Sequence, residues 1–221
     1  TALVLVAAGG AYAALPSVAN APARAAAVLS AHGGQATPSP PPARVSAALV
    51  AAEDHEYYSP AGVDIAYGVA RLVADDVRYG GDQGGATLAQ QLAKMLYTGP
   101  ASGPTNEAEQ VGLALKLELA YSRPELLRLY LDAAYFGDGA WGVVSASHHY
   151  FGLPPGQLSW AQAALLAGLV QAPSAYDPLE HPAAARARRG EVLRQLVETH
   201  VLTPARAAAA AAAPLGLHPA P

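Results

Sequence analysis

Two short signatures, Ser122-x-x-Glu125 and Ser159-x-x-Gln162, each open an apolar run of helical period, and they constrain the fold more than any other feature of the chain. A serine at a helix start and an acid or amide three residues later cap each other and satisfy two backbone donors. Pro124 sits early in the first helix, where no N–H is needed. The pattern predicts helices over residues 126–135 and from Ser159 to about residue 170. Val45, Ala48, Leu49 and Ala52 predict a further helix ending at Glu53-Asp54. Residues 142–151 read as helix stopped by Gly152, and residues 182–198 as an amphipathic helix with Arg188, Arg189 and Arg194 on its wet side. Thr203-Pro204 opens a last, alanine-rich helix. Apolar residues make up 52% of the 221, but alanine supplies much of that share, and valine, isoleucine and phenylalanine are too sparse for a large sheet. The fold class is therefore all-α. A net charge of −4 gives no nucleic-acid footprint, and the lack of cysteine excludes disulfides and thiolate zinc sites.

The start of the chain has a different character. Residues 1–19 carry no charge, and an apolar run from Leu3 to Val18 contains Gly9, Gly10 and Pro16. This is near the lower limit for a membrane span, so residues 1–24 read as a membrane anchor or signal remnant, with a core helix as the third reading. Residues 25–44, with Gly33, Gly34, Pro38 and Pro40 to Pro42, read as a linker. Residues 45–200 then form the domain, and residues 201–221 an alanine-rich tail.

Two segments carry candidate chemistry. Gly84-Gly85 make a turn, and Thr87 caps a helix whose apolar face is Leu88, Leu92, Met95 and Leu96. Thr87, Gln90, Gln91 and Lys94 share the other side, where open N–H groups, two amides and an ammonium suit a polyanion or a sugar. The plainer reading is a capped surface helix with a polar face. Glu53-Asp54 precedes Tyr57 and Tyr58, and a carboxylate beside aromatic rings is desolvated, which raises its pKa and suits it to general acid or base work. An exposed Glu-Asp pair at a helix end is the alternative. His148 and His149 are neighbours on a helix and point apart, so with His55 they lack ligand spacing and read as packing or surface residues.

Taken in order, these segments resemble the family 51 glycosyltransferases, the peptidoglycan glycosyltransferase domains of monofunctional transglycosylases and bifunctional penicillin-binding proteins. The first motif is similar to Ala52-Glu53-Asp54-His55-Glu56-Tyr57-Tyr58 with Gly62 and Asp64, and the second to the glutamine stretch. Leu117-Glu118 and Tyr121-Ser122-Arg123 resemble the end of the third. Tyr130-Leu131-Asp132, Tyr135-Phe136-Gly137, Tyr150-Phe151-Gly152 and Gln171-Ala172-Pro173 resemble the fourth and its continuation, and Arg188-Arg189 with Val192-Leu193 the closing helix. The resemblance implies a lysozyme-like fold with a large lobe and a small jaw lobe, the jaw near residues 97–106, preceded by an apolar N-terminal helix. It implies polymerisation of lipid II, or a related lipid-linked sugar, at the extracytoplasmic face of a bacterial plasma membrane. Other cell-wall synthesis proteins are then partners. Glu53 takes the catalytic position, and Asp54, Thr87, Gln90, Gln91, Lys94 and Arg71 the substrate-binding ones. A divalent metal (Mg or Mn) is the cofactor implied; no organic cofactor and no metal-ligating set of protein residues is expected.

Several family positions hold other residue types. Where the third motif has Arg, Lys and a second glutamate, this chain has Asn106, Glu107 and Gln110. Pro60 replaces a histidine, Ala86 a serine, Met95 and Asp132 an asparagine each, and Gln162 a glutamate; Arg71 lies one place late. One charge-stabilising donor typically supplies about 3 to 4 kcal/mol to a transition state. The sequence thus supports two readings: an active, divergent glycosyltransferase, and an impaired member that binds precursor or partners as a scaffold. No Ser-x-x-Lys nucleophile motif occurs in this sequence, so a transpeptidase role is not expected of it.

Overall fold

The computed structural model describes residues 12–54, 57–58, 87–100 and 103–218. Among them the regular structure is helical, with one isolated bridge between Tyr135 and Trp141. The helices are α1 (Ala21–Ala31), α2 (Ala43–Glu53), α3 (Leu88–Ala93), α4 (Pro104–Ala120), α5 (Arg123–Ala133), α6 (Val143–Phe151), α7 (Trp160–Leu169), α8 (Pro182–Glu198) and α9 (Pro204–Ala212).

The centre of the body is α7, which is apolar all round, with every residue from 163 to 169 buried. Such a helix needs neighbours on all sides. It packs against α2, α6 and α8, and α2 also lies against α8. Burying one leucine such as Leu166 contributes about 1.5–3 kcal/mol. Gly168 faces α8 so closely that a Cβ there would lie 2.8 Å from Arg188 Cγ. A second group joins α3, α4 and α5, while α1 lies along α5 through Ala21, Ala25 and Leu29.

The predicted helix starts at Ser122, Ser159 and Thr203 are present. Glu125 Oε2 accepts from Ser122 N at 2.8 Å, and Gln162 Oε1 accepts from Ser159 N at 2.9 Å. Gly152 ends α6 in the left-handed conformation at φ 65°.

Three expectations need correction. Residues 25–44 are not a free linker. The first seven belong to α1, and the rest is held to the core, with Thr37 and Pro42 buried and Thr37 N donating to Asp132 Oδ1 at 2.6 Å. The anchor reading of residues 1–24 falls partly outside the described residues, but Val18 and Ala21 are core. Val18 O accepts from Tyr121 Oη at 2.8 Å, and Arg24 Nη1 donates to Leu96 O at 2.7 Å. No helix among the described residues is long and apolar enough to cross a membrane. The tail is packed as well: Leu202, Ala207 and Leu215 are buried, and α9 lies on α8.

Arg189 explains the docking of the tail and corrects its assignment to a wet face. It is 2% exposed, and its guanidinium donates to the carbonyls of Ala211, Ala213 and Pro214 at 2.9, 2.7 and 3.0 Å. These are carbonyls that the end of α9 leaves without helical partners. Arg188 is also buried, whereas Arg194 is exposed and paired with Glu198 at 2.6 Å.

Candidate active site

Glu53 is the last residue of α2, and Asp54 caps that helix. The Asp54 carboxylate reaches across the fold and accepts from Leu88 N at 3.0 Å. A carboxylate at a helix start satisfies an open donor and meets the positive end of the dipole. This contact ties the end of α2 to the start of α3 and sets Glu53 opposite Gln91. Gln91 Nε2 then donates to Glu53 Oε2 at 2.9 Å. From α5, Tyr130 Oη donates to Gln91 Oε1 at 2.7 Å.

Arg188 completes the group. Its Nη2 lies 3.7 Å from Glu53 Oε1, while its Nη1 donates to Glu191 Oε2 at 2.9 Å. Its guanidinium also faces the Tyr176 ring at 5.9 Å. The side chains of Arg188 and Glu53 are 8% and 10% exposed. Glu53 Oε1 is buried and has no hydrogen-bond donor within reach among the described residues. Burial is the largest influence on Glu53 and raises its pKa above the ordinary glutamate value; the Gln91 hydrogen bond and the Arg188 charge oppose it. Tyr130 is wholly enclosed, and burial followed by the Glu53 charge pushes its hydroxyl well above the usual phenol range. The arrangement is thus a desolvated carboxylate with one oxygen held by an amide and the other buried beside a cation, without a hydrogen bond among the described residues. It is suited to taking a proton from a bound hydroxyl.

The glutamine stretch is used differently from the shared ligand face read in the sequence. Thr87 and Gln90 are 7% and 8% exposed and spend their side chains on each other's backbone. Gln90 Oε1 accepts from Thr87 N at 2.8 Å, and Thr87 Oγ1 accepts from Gln90 N at 3.2 Å. With Leu88 N taken by Asp54, these start-of-helix donors are closed and are not an open anion site. Thr87, Gln90 and Asp54 therefore position the helix, and Gln91 alone of the four holds the carboxylate. Lys94 stands apart and exposed, where α3 widens into a π-helical turn, Lys94–Thr98. Gly99 N closes that turn on Lys94 O at 2.9 Å.

Asn106, Glu107 and Gln110 lie on α4, where Glu107 is exposed and Gln110 Nε2 donates to Thr98 Oγ1 at 3.2 Å. Pro60, Arg71, Ala86 and His55 lie outside the described residues. His149 is a surface residue, 2.7 Å from Asp138 Oδ2. An apolar cavity of about 410 Å³, lined by Ser46, Val50, Tyr58, Leu127 and Val201 among others, includes neither Glu53 nor Gln91 and is separate from this chemistry.

Sequence reasoning missed Tyr130 and Arg188 as parts of the site. Both lie in segments with recognisable motifs, Tyr130-Leu131-Asp132 and Arg188-Arg189, but a lone tyrosine or arginine on an amphipathic helix gives no sign of which way it faces. Gly168, one turn of α7 across from Arg188, was the available signal of a close approach.

Comparison with known proteins places the chain in a family. The transglycosylase family profile matches residues 30–197. The chain is 40% identical over 157 residues to penicillin-binding protein 1A of Neisseria flavescens, covering 71% of this chain and 20% of that protein. It is 41% identical over 168 residues to penicillin-binding protein 1A of Mycobacterium tuberculosis, covering 74% and 20%. With penicillin-binding protein 1F of Bacillus subtilis it shares 36% identity over 178 residues, covering 80% and 25%. A solved structure of penicillin-binding protein 1A from Haemophilus influenzae aligns at 30% identity and a TM-score of 0.43, over 45% of this chain and 15% of that one. The chain spans about a fifth to a quarter of the length of the curated relatives it matches. With more than half of its residues inside the family profile, and with the Glu53 site assembled from the segments that profile covers, the chain belongs to the transglycosylase family.

Proposed function

We propose that this domain is a peptidoglycan glycosyltransferase that polymerises lipid II with inversion. Glu53 Oε1, the carboxylate oxygen without a hydrogen-bond donor among the described residues, takes the proton of the acceptor sugar's 4-hydroxyl. The acceptor oxygen forms the new bond to the donor's anomeric carbon, and the bond from that carbon to the lipid pyrophosphate breaks on the opposite face. Gln91 and Arg188 favour the ionised carboxylate and partly offset its burial. Lys94, exposed one helical turn beyond Gln91, supplies a cation for the departing pyrophosphate. Among the described residues no three metal-ligating side chains converge. A divalent ion, where bound, would add positive charge at the departing pyrophosphate. The reading includes the two-lobed lysozyme-like arrangement, with residues 97–106 as the jaw, and work at the extracytoplasmic face of a bacterial plasma membrane alongside other cell-wall synthesis proteins.

The observation that carries this reading is the buried carboxylate of Glu53, with one oxygen held by the Gln91 amide and the other beside Arg188. One observation favours a binding-only member instead: α4 offers Asn106, Glu107 and Gln110 where cations and a second carboxylate are expected. Purified protein incubated with lipid II, detergent and a divalent metal decides between them. Glycan polymer that falls by about 10²- to 10⁴-fold in Glu53→Gln supports the enzyme. Lipid II bound but never polymerised supports the scaffold.

A further inference from the structure

Gln91 can present either end of its amide to Glu53, since its oxygen and nitrogen fill nearly the same space. With nitrogen toward Glu53 it donates to an ionised carboxylate. With oxygen toward Glu53 it accepts only from a carboxylic acid. Nothing in Gln91 itself selects between the two. Tyr130 favours the first: its Oη donates to Gln91 Oε1 at 2.7 Å. Tyr130 is 2% exposed, and Gln91 is the acceptor of its hydroxyl. If the amide turned over, this buried O–H would face an N–H, and its proton would lose its acceptor.

Resting on the reading of Glu53 as the base, we propose that Tyr130 is a positioning residue: its hydroxyl locks the Gln91 amide with nitrogen toward Glu53, so that the base is presented to substrate as a carboxylate. Tyr130 touches neither the carboxylate nor the reacting atoms; it acts through Gln91. Among the described residues, the other charged and titratable groups near this site are Arg188 and Glu191 on α8 and Asp54 beside Glu53 in sequence, with Lys94 one turn beyond Gln91. Arg188 favours the ionised form from the opposite oxygen, and Asp54 is engaged with Leu88 N.

The test is the pH dependence of kcat/KM for polymerisation of lipid II by the full chain and three variants. Tyr130→Phe removes one oxygen and fills the same volume, and its fold is checked by circular dichroism. Without the lock the amide turns over to accept from protonated Glu53. The acid limb should then move to higher pH by about half a unit to one unit, the size expected of one hydrogen bond. Gln91→Ala should move it in the same direction, and adding Tyr130→Phe to Gln91→Ala should move it no further. An acid limb unchanged in Tyr130→Phe, or a full second shift in the double variant, overturns the lock. Glu53→Gln, measured alongside, separates the two claims: rate lost there with an unchanged Tyr130→Phe profile defeats the lock alone, whereas rate retained there defeats the base and the lock together.

Discussion

Glu53 is kept in a state that the folded protein does not favour. Burial outweighs the help of Gln91 and Arg188, so its pKa lies above the unfolded value. Between those two pKa values the folded state binds more protons than the unfolded one, and stability falls as pH rises through that window. Above that window the ionised form detracts from stability, a common cost of a working group. Glu53→Gln should raise the unfolding free energy by about 0.5–2 kcal/mol while abolishing polymerisation, a gain readable as a higher Tm. A variant that loses both activity and stability would contradict this account. The same direction governs catalysis: a base must be ionised, so polymerisation should decline on the acid side at a pH above the ordinary glutamate range, measured as the lower limb of kcat/KM. The sequence pointed to a raised Glu53 pKa through Tyr57 and Tyr58, but in the structure Tyr57 turns to Arg123, Tyr58 is exposed, and the groups paired with the carboxylate are Gln91 and Arg188. The sequence did not make Arg188 legible. A guanidinium on a helix of mixed character reads as solvated until a neighbouring helix is known to cover it.

Helices with a chemical start signal were readable at the level of single elements. Ser122, Ser159 and Thr203 each open one, since a capping side chain acts within four residues and needs no tertiary knowledge. The π-helical turn Lys94–Thr98 was not readable, because its widening depends on what surrounds it: Arg24 Nη1 donates to Leu96 O, and its guanidinium lies over the Tyr97 ring at 4.5 Å. The role of α1 was likewise hidden, since its alanines look like a spacer until α5 supplies their partner. The approach of α7 to α8 at Gly168 gives the test at this scale. A methyl group at Gly168 would meet Arg188 Cγ at 2.8 Å, near the stem of that side chain rather than at its mobile end. Gly168→Ala should therefore cost about 1–3 kcal/mol by overpacking and draw Arg188 away from Glu53. Denaturant unfolding measures the first effect. The second should appear as an acid limb of kcat/KM moved to higher pH, because Glu53 loses a cation.

Across the whole molecule α8 is the element that binds distant parts together. Arg188 reaches the base near the start of the fold, and the adjacent Arg189 gathers the carbonyls behind α9. Arg189→Met would keep much of the buried stem and leave three carbonyls without their donor. It should cost about 2–4 kcal/mol, in the range of other losses of a buried charged hydrogen-bonding group. Amide exchange should then quicken first in α9, and uniform exchange across the chain would show that the tail is held by other means. The wide spacing of these partners also bears on the order in which the molecule comes into being. Glu53 lies in the first quarter of the chain and Arg188 in the last fifth, with Gln91 and Tyr130 between them. A chain still being synthesised has made its glutamate but has neither the cation nor the enclosure that gives the glutamate its character. Arg188 reaches Glu53 only when α8 is docked, so the electrostatic setting of that carboxylate belongs to the completed fold and to no shorter stretch of the chain.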